Sequence, residues 1–66
     1  MKTLADRLNS KMSELNLTQA HLAEQIQISQ AAVWKITAGK TTHPRKILEI
    51  ARQLNVSPEW LMFGDN

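Results

Sequence analysis

Cysteine is absent from this 66-residue chain, which excludes a disulfide framework and a thiolate metal site. Glycine occurs only at Gly39 and Gly64, so no glycine-rich loop is present to cradle a phosphate. Tyrosine is missing, and the aromatics are confined to Trp34, Trp60 and Phe63. No apolar run approaches the roughly 20 residues of a membrane span. The N-terminal stretch MKTLADRLNSK lacks the apolar h-region of a secretory signal. Together these absences fit a protein of a reducing cytoplasm. The two histidines, His21 and His43, lie far apart and show no ligand-like spacing, so no metal site is expected. No motif pairs a nucleophile with a base, and a chain this small cannot frame a catalytic cleft. No catalytic residue and no cofactor are therefore expected.

Hydrophobic residues make up 42% of the chain, enough for one small core, and residues 1–66 read as a single domain. Net charge is only +2, but it is unevenly placed. Residues 1–24 balance three bases against three acids, and residues 49–66 set Arg52 against Glu49, Glu59 and Asp65. Between them, residues 25–48 carry Lys35, Lys40, Arg45 and Lys46 and no acid at all. A basic stripe of this kind suits a phosphate-facing surface, although composition alone allows a merely solvated face.

Periodicity predicts five short helices and no strands. Thr3-x-x-Asp6 resembles a capping box, and Leu4, Leu8, Met12 and Leu15 predict the buried stripe of a first helix that stops near Asn16. A second helix is expected over about Gln19 to Ile26 and a third over about Gln30 to Ala38, with Gly39 as a left-handed cap. Residues 40–43 read as a loop. Pro44 suits the first position of a fourth helix, whose apolar face would be Ile47, Ile50, Ala51 and Leu54, ending at Asn55. Ser57 and Pro58 open a fifth helix with Trp60, Leu61 and Phe63, closed by Gly64.

The segment QAHLAEQIQISQAAVWKITAG is the most informative stretch. Thr18 and Ser29 stand one residue before each helix as caps, Ala23 sits where the helices would cross, and Val33 and Ile36 face inward. This is the layout of a helix-turn-helix, whose second helix enters the DNA major groove. Its exposed positions would be Gln30, Ala31, Trp34 and Lys35. A glutamine amide matches adenine N6 and N7 together, and Lys35 could reach a guanine or a phosphate. Gln19 opens the second helix, where free N–H groups and the helix dipole favour a phosphate. The duller readings are ordinary: two exposed glutamines, a solvated lysine, and Ala31 as a helix former rather than a thymine-methyl contact. Two glutamines opening two consecutive helices of one motif favour the functional reading. Trp34 lies outside the core stripe, either packed at its edge or against sugar and phosphate. Trp60 is either core or a dimer contact.

These motifs resemble the Cro proteins and repressor DNA-binding domains of lambdoid phages, in the Cro/CI group of helix-turn-helix regulators. MKTLADRL resembles a Cro start, LTQAHLAEQ the family's second helix, ISQAAVWKITAGKT its third helix and loop, and HPRKILEIARQLNVSPEWLMFGD its last two helices. The resemblance implies an all-α, compact five-helix, lambda-repressor-like fold. It also implies a cytoplasmic phage or prophage repressor that binds a near-palindromic operator as a dimer, weak in solution and stabilised on DNA. Carried over by position, Gln19 would bond a phosphate and brace Gln30, Gln30 would read adenine, and Ala31 and Lys35 would help set operator preference. Thr18, Lys40, Thr41, Thr42, His43 and Arg45 match positions at the sugar–phosphate backbone. Pro58, Glu59, Trp60 and Met62, with His43, match the dimer contact.

The sequence departs from the pattern in three places. Gln27 stands where the inter-helix turn usually holds glycine. Met12 and Thr37 replace a buried arginine–glutamate pair, so an apolar contact is expected there instead. His43 replaces a frequent arginine, which implies a weaker or pH-dependent phosphate contact. The sequence is expected to be a complete Cro-like protein rather than the N-terminal domain of a longer repressor, because no linker composition is visible. The alternative function is a helix-turn-helix interaction module such as an antitoxin or adaptor, which would need an exposed apolar patch for its partner.

Overall fold

The computed structural model describes residues 3–64, and among these it contains five α-helices and no strand. They are α1 (Leu4–Glu14), α2 (Gln19–Ile26), α3 (Gln30–Thr37), α4 (Ile47–Leu54) and α5 (Pro58–Phe63). Their starts follow from local side-chain chemistry. The oxygens of Thr3, Thr18, Ser29 and Ser57 accept hydrogen bonds from the N–H groups of Asp6, His21, Ala32 and Trp60, at 3.0–3.1 Å. Each bond satisfies a donor that the helix itself cannot.

Every helix is followed by a left-handed residue: Asn16, Gln27, Gly39, Asn55 and Gly64. After α1 to α4 the next N–H also reaches back to a helix carbonyl: Leu17 to Met12, Ile28 to Ala23, Lys40 to Lys35 and Val56 to Ala51. These are Schellman closures, which satisfy carbonyls at the helix end and turn the chain back over it. Such turns make short helices possible in so short a chain.

Asparagine tolerates the left-handed region because its short side chain bonds locally. Gln27, at φ 61° and ψ 47°, has no such relief. Gln27→Gly should therefore stabilise the domain by about 1 kcal/mol, after part of the gain is lost to the freer unfolded chain. Chemical denaturation checks this. An unchanged or lower midpoint would mean that the left-handed turn carries no strain.

The core joins Leu4, Leu8 and Met12 of α1, Leu22, Ala23 and Ile26 of α2, Val33 and Ile36 of α3, Ile50, Ala51 and Leu54 of α4, and Leu61 of α5. Ala23 is small and buried, as the crossing of α2 and α3 requires. Four expectations need correction. Leu15 is 47% exposed, because α1 ends at Glu14 and the left-handed Asn16 swings Leu17 onto the core instead. Pro44 does not open α4. It is buried in the preceding loop, and the helix ladder begins with the Ile50 N–H to Lys46 carbonyl bond, with no side-chain cap at Lys46. α3 ends at Thr37, one residue early, and Ala38 is its cap. Phe63, read as part of the apolar α5, is 72% exposed.

Arg7 is the residue the apolar pattern concealed. It lies on the buried face of α1 between Leu4 and Leu8 and is only 4% exposed. Its guanidinium donates to the carbonyls of Leu61 (Nε, 2.8 Å) and Met62 (Nη2, 2.7 Å). A planar cation there meets the negative end of α5, so one side chain both caps that helix and fastens it to α1. Gly64 completes the joint. Its φ is +79°, and a Cβ at this position would fall 2.6 Å from Arg7 Nη1.

Candidate nucleic-acid interface

α2 and α3 are joined by three residues, Gln27 to Ser29, and present one continuous outer surface. Gln30, Ala31, Trp34 and Lys35 are all exposed on α3, as the spacing predicts, while Val33 and Ile36 turn into the core. Trp34 is 49% exposed and lies outside the core cluster. Lys40 Nζ stands 5.9 Å from its ring centroid, an arrangement in which the ring face attracts the ammonium. The backbone holds Lys40 there, because both Lys40 N–H and Thr41 N–H donate to the Lys35 carbonyl, at 2.8 and 3.1 Å.

Two open grooves flank α3. One, of about 520 Å³, runs between the starts of α2 and α3 and is lined by Thr18, Ala20, His21, Ala23, Ile28 and Gln30, with one acid, Glu24. The other, of about 420 Å³, runs along the opposite side and gathers Ala31, Lys35, Thr41, Pro44, Arg45 and Lys46. The structure thus brings Thr18 and Gln30 to one groove beside α3, and Ala31, Lys35, Thr41 and Arg45 to the other, whereas Thr42 and His43 lie apart in a third cleft against α1 and α5. No acidic side chain among the described residues pairs with Lys35, Lys40, Arg45 or Lys46. Thr18 caps α2 through its hydroxyl oxygen, which leaves its proton free to donate outward. Thr42 Oγ1 and His43 Nδ1 lie 3.1 Å apart in the loop.

Gln19 differs from the expectation. Its amide nitrogen donates to Thr37 Oγ1 at 3.2 Å, and this is where the structure anchors it, rather than on Gln30. Thr37 in turn does not make the expected apolar substitute for an ion pair. Its hydroxyl donates to the Trp34 carbonyl at 3.0 Å, and its own carbonyl accepts from Asn9 Nδ2 at 2.9 Å. A threonine at a helix end has these polar options, and Met12 is buried in the core without it.

The residues read as a dimer contact fall into two settings. His43 and Met62 share a cleft of about 310 Å³ with Thr42, Leu4, Arg7 and Phe63. Pro58 is partly covered, Glu59 is exposed, and Trp60 is half-buried against the core. Among the described residues no three metal-ligating side chains cluster, and no helix is long and apolar enough to cross a membrane.

A family model described as helix-turn-helix matches residues 10–61. The chain belongs to the helix-turn-helix family. Similar members of that family include an HTH-type transcriptional regulator, PrtR, of Pseudomonas aeruginosa, 44% identical over 63 residues, covering 96% of this chain and 25% of that protein. The HTH-type transcriptional regulator for conjugative element SXT of Vibrio cholerae is 40% identical over 65 residues, covering 98% of this chain and 30% of that protein. Repressor protein C of Rhizobium phage 16-3 is 34% identical over 59 residues, covering 89% and 22%. The chain thus spans between about a fifth and a third of the length of these curated relatives. Among solved structures, the P22 c2 repressor bound to a synthetic operator matches with a TM-score of 0.89 at 23% identity, covering 98% of this chain and 100% of that one. The likeness shows that this helix-turn-helix domain has the five-helix fold of that repressor.

Proposed function

We propose that this chain is a sequence-specific DNA-binding domain of a transcriptional repressor, one copy reading each half of a near-palindromic operator. The observation that carries the reading is the outer row of α3. Gln30, Ala31, Trp34 and Lys35 are exposed together on the second helix of a helix-turn-helix, flanked by cations that have no acidic partner among the described residues. Gln30 would pair with adenine N6 and N7. Lys35 would reach a guanine or a phosphate, and Ala31 would lie against a thymine methyl. Thr18, Gln19, Lys40, Thr41, Thr42, His43 and Arg45 would hold the backbone, and Trp34 would lie against sugar and phosphate. Repression would be steric, an occupied operator blocking polymerase, with no chemistry and no cofactor. The curated relatives are named as transcriptional regulators and a repressor, which supports this reading over an antitoxin or adaptor.

Base contacts and phosphate contacts separate by mutation. Gln30→Ala should cost about 1–3 kcal/mol on the preferred sequence while sparing random DNA. Arg45→Ala should weaken both alike. Parallel titrations of the two duplexes check the assignment, and equal losses for both mutants on both duplexes would contradict it.

The proposed partner on DNA is a second copy, met through His43, Met62 and the Pro58–Trp60 segment. This patch is small against the roughly 1,200 Å² total of a stable complex. The free chain should therefore sediment largely as a monomer at low micromolar concentration and pair when DNA places two copies one helical turn apart. A tight dimer without DNA would contradict this.

A further inference from the structure

The start of α2 is built into a polar junction that the helix-turn-helix motif does not call for. Thr37, half-buried on the last turn of α3, meets both neighbouring helices. Its carbonyl accepts from Asn9 Nδ2 of α1 at 2.9 Å, and its hydroxyl oxygen accepts from Gln19 Nε2 of α2 at 3.2 Å. The hydroxyl proton is already committed to the Trp34 carbonyl at 3.0 Å. Thr37 Oγ1 can therefore act toward Gln19 only as an acceptor, and this decides which end of the Gln19 amide faces it. The NH₂ group is turned in and the carbonyl oxygen away.

We propose that Thr37 is a positioning residue for DNA binding: its hydroxyl holds the Gln19 amide so that the second N–H of Nε2 is presented to a backbone phosphate. This rests on the DNA-binding reading above. A phosphate accepts hydrogen bonds and offers none, so it can use only the amide nitrogen. Nε2 carries two protons, and Thr37 takes one. The first-turn N–H groups of Gln19 and Ala20, which a helix leaves without internal partners, border the same point. A free glutamine side chain loses rotamer freedom when it is fixed on a ligand, whereas an amide already anchored loses less. Thr37 thus gains binding for Gln19 without touching DNA. It connects the last turn of α3 to the first turn of α2.

The test uses the duplex enriched from a random pool by the wild-type chain. Thr37→Val keeps the shape but removes the acceptor, and should weaken binding about three- to tenfold, the worth of one neutral hydrogen bond. Thr37→Ser should restore wild-type affinity. In a Gln19→Ala background Thr37→Val should have no further effect. Substituting uncharged methylphosphonates one at a time locates the phosphate, and the penalties of Gln19→Ala and Thr37→Val should vanish at the same site. A purely structural role for Thr37 would move none of these together. The Gln19 side-chain amide signals in NMR of the free protein give a readout independent of stability. They should shift in Thr37→Val and not in Thr37→Ser. Additive losses in the double mutant, a Thr37→Ser variant as weak as Thr37→Val, or unmoved amide signals would overturn the proposal while leaving DNA binding intact. Failure of the wild-type chain to enrich any sequence would remove the DNA-binding reading, and this inference with it.

Discussion

Raising monovalent salt from about 50 to 200 mM should weaken operator binding by about 10³- to 10⁵-fold. The expectation comes from counting phosphate contacts. Each copy offers Lys35, Lys40, Arg45 and Lys46 from one acid-free window, and the structure sets Lys40, Arg45 and Lys46 in the loop that follows α3. Three to five contacts per copy, doubled on a two-copy operator, give a log–log slope of roughly −5 to −9 through counterion release. No acidic side chain among the described residues forms an ion pair with those cations, although Glu49 shares a cleft with Lys46. The small net charge of +2 would suggest a much flatter response if charge acted as a sum. Fluorescence anisotropy of a labelled duplex over a salt series reads the slope directly. A flat response would exclude a phosphate-facing surface at α3.

Replacing Arg7 by methionine should lower stability by about 2–4 kcal/mol, because it leaves the Leu61 and Met62 carbonyls without their donor. Methionine keeps much of the volume, so the loss isolates the hydrogen bonds from simple packing. A domain of this length has total stability of only about 3–10 kcal/mol, so the effect is a large fraction of it. At about 4–8 °C per kcal/mol, the thermal midpoint should fall by roughly 8–32 °C. Arg7→Lys should fall between the two, since one ammonium cannot reproduce a planar fork onto two carbonyls. Thermal unfolding followed by circular dichroism decides it, and an unchanged midpoint for Arg7→Met would mean that α5 is held by the apolar packing of Leu61, Trp60 and Met62.

Four of the five helix starts were legible because their chemistry is local. A threonine or serine before an apolar repeat caps a helix whatever lies beyond it, and Thr3, Thr18, Ser29 and Ser57 all do so. The left-handed Gln27 was legible only through the resemblance, which implies glycine at that turn, and the turn imposes its backbone angle on whichever residue stands there. The exposed row on α3 followed from its 3.6-residue period. What escaped depends on contacts distant in sequence. Proline at a helix start and proline in a turn have the same φ, and burial of Pro44 in the loop decided between them. Leu15 and Leu17 compete for the same end of the core, and the reversal at Asn16 selects Leu17. Arg7 reads as a surface charge until the carbonyls of α5, more than fifty residues away, are brought to it. The period did place it on the apolar face, three residues after Leu4, and that was the available signal. In the sequence Thr37 stands out only for the ion pair it lacks. Its link to Gln19 requires α3 to fold back over the start of α2.

The central claim is that the exposed row of α3 reads DNA sequence as part of a two-copy complex. Selection of bound duplexes from a random pool by the purified chain tests it most directly. The account predicts a consensus with two-fold symmetry, half-site centres about 10 base pairs apart, and adenine at a fixed place in each half that loses its preference in Gln30→Ala. A pool that enriches no sequence would contradict the claim, as would a single asymmetric site indifferent to Gln30.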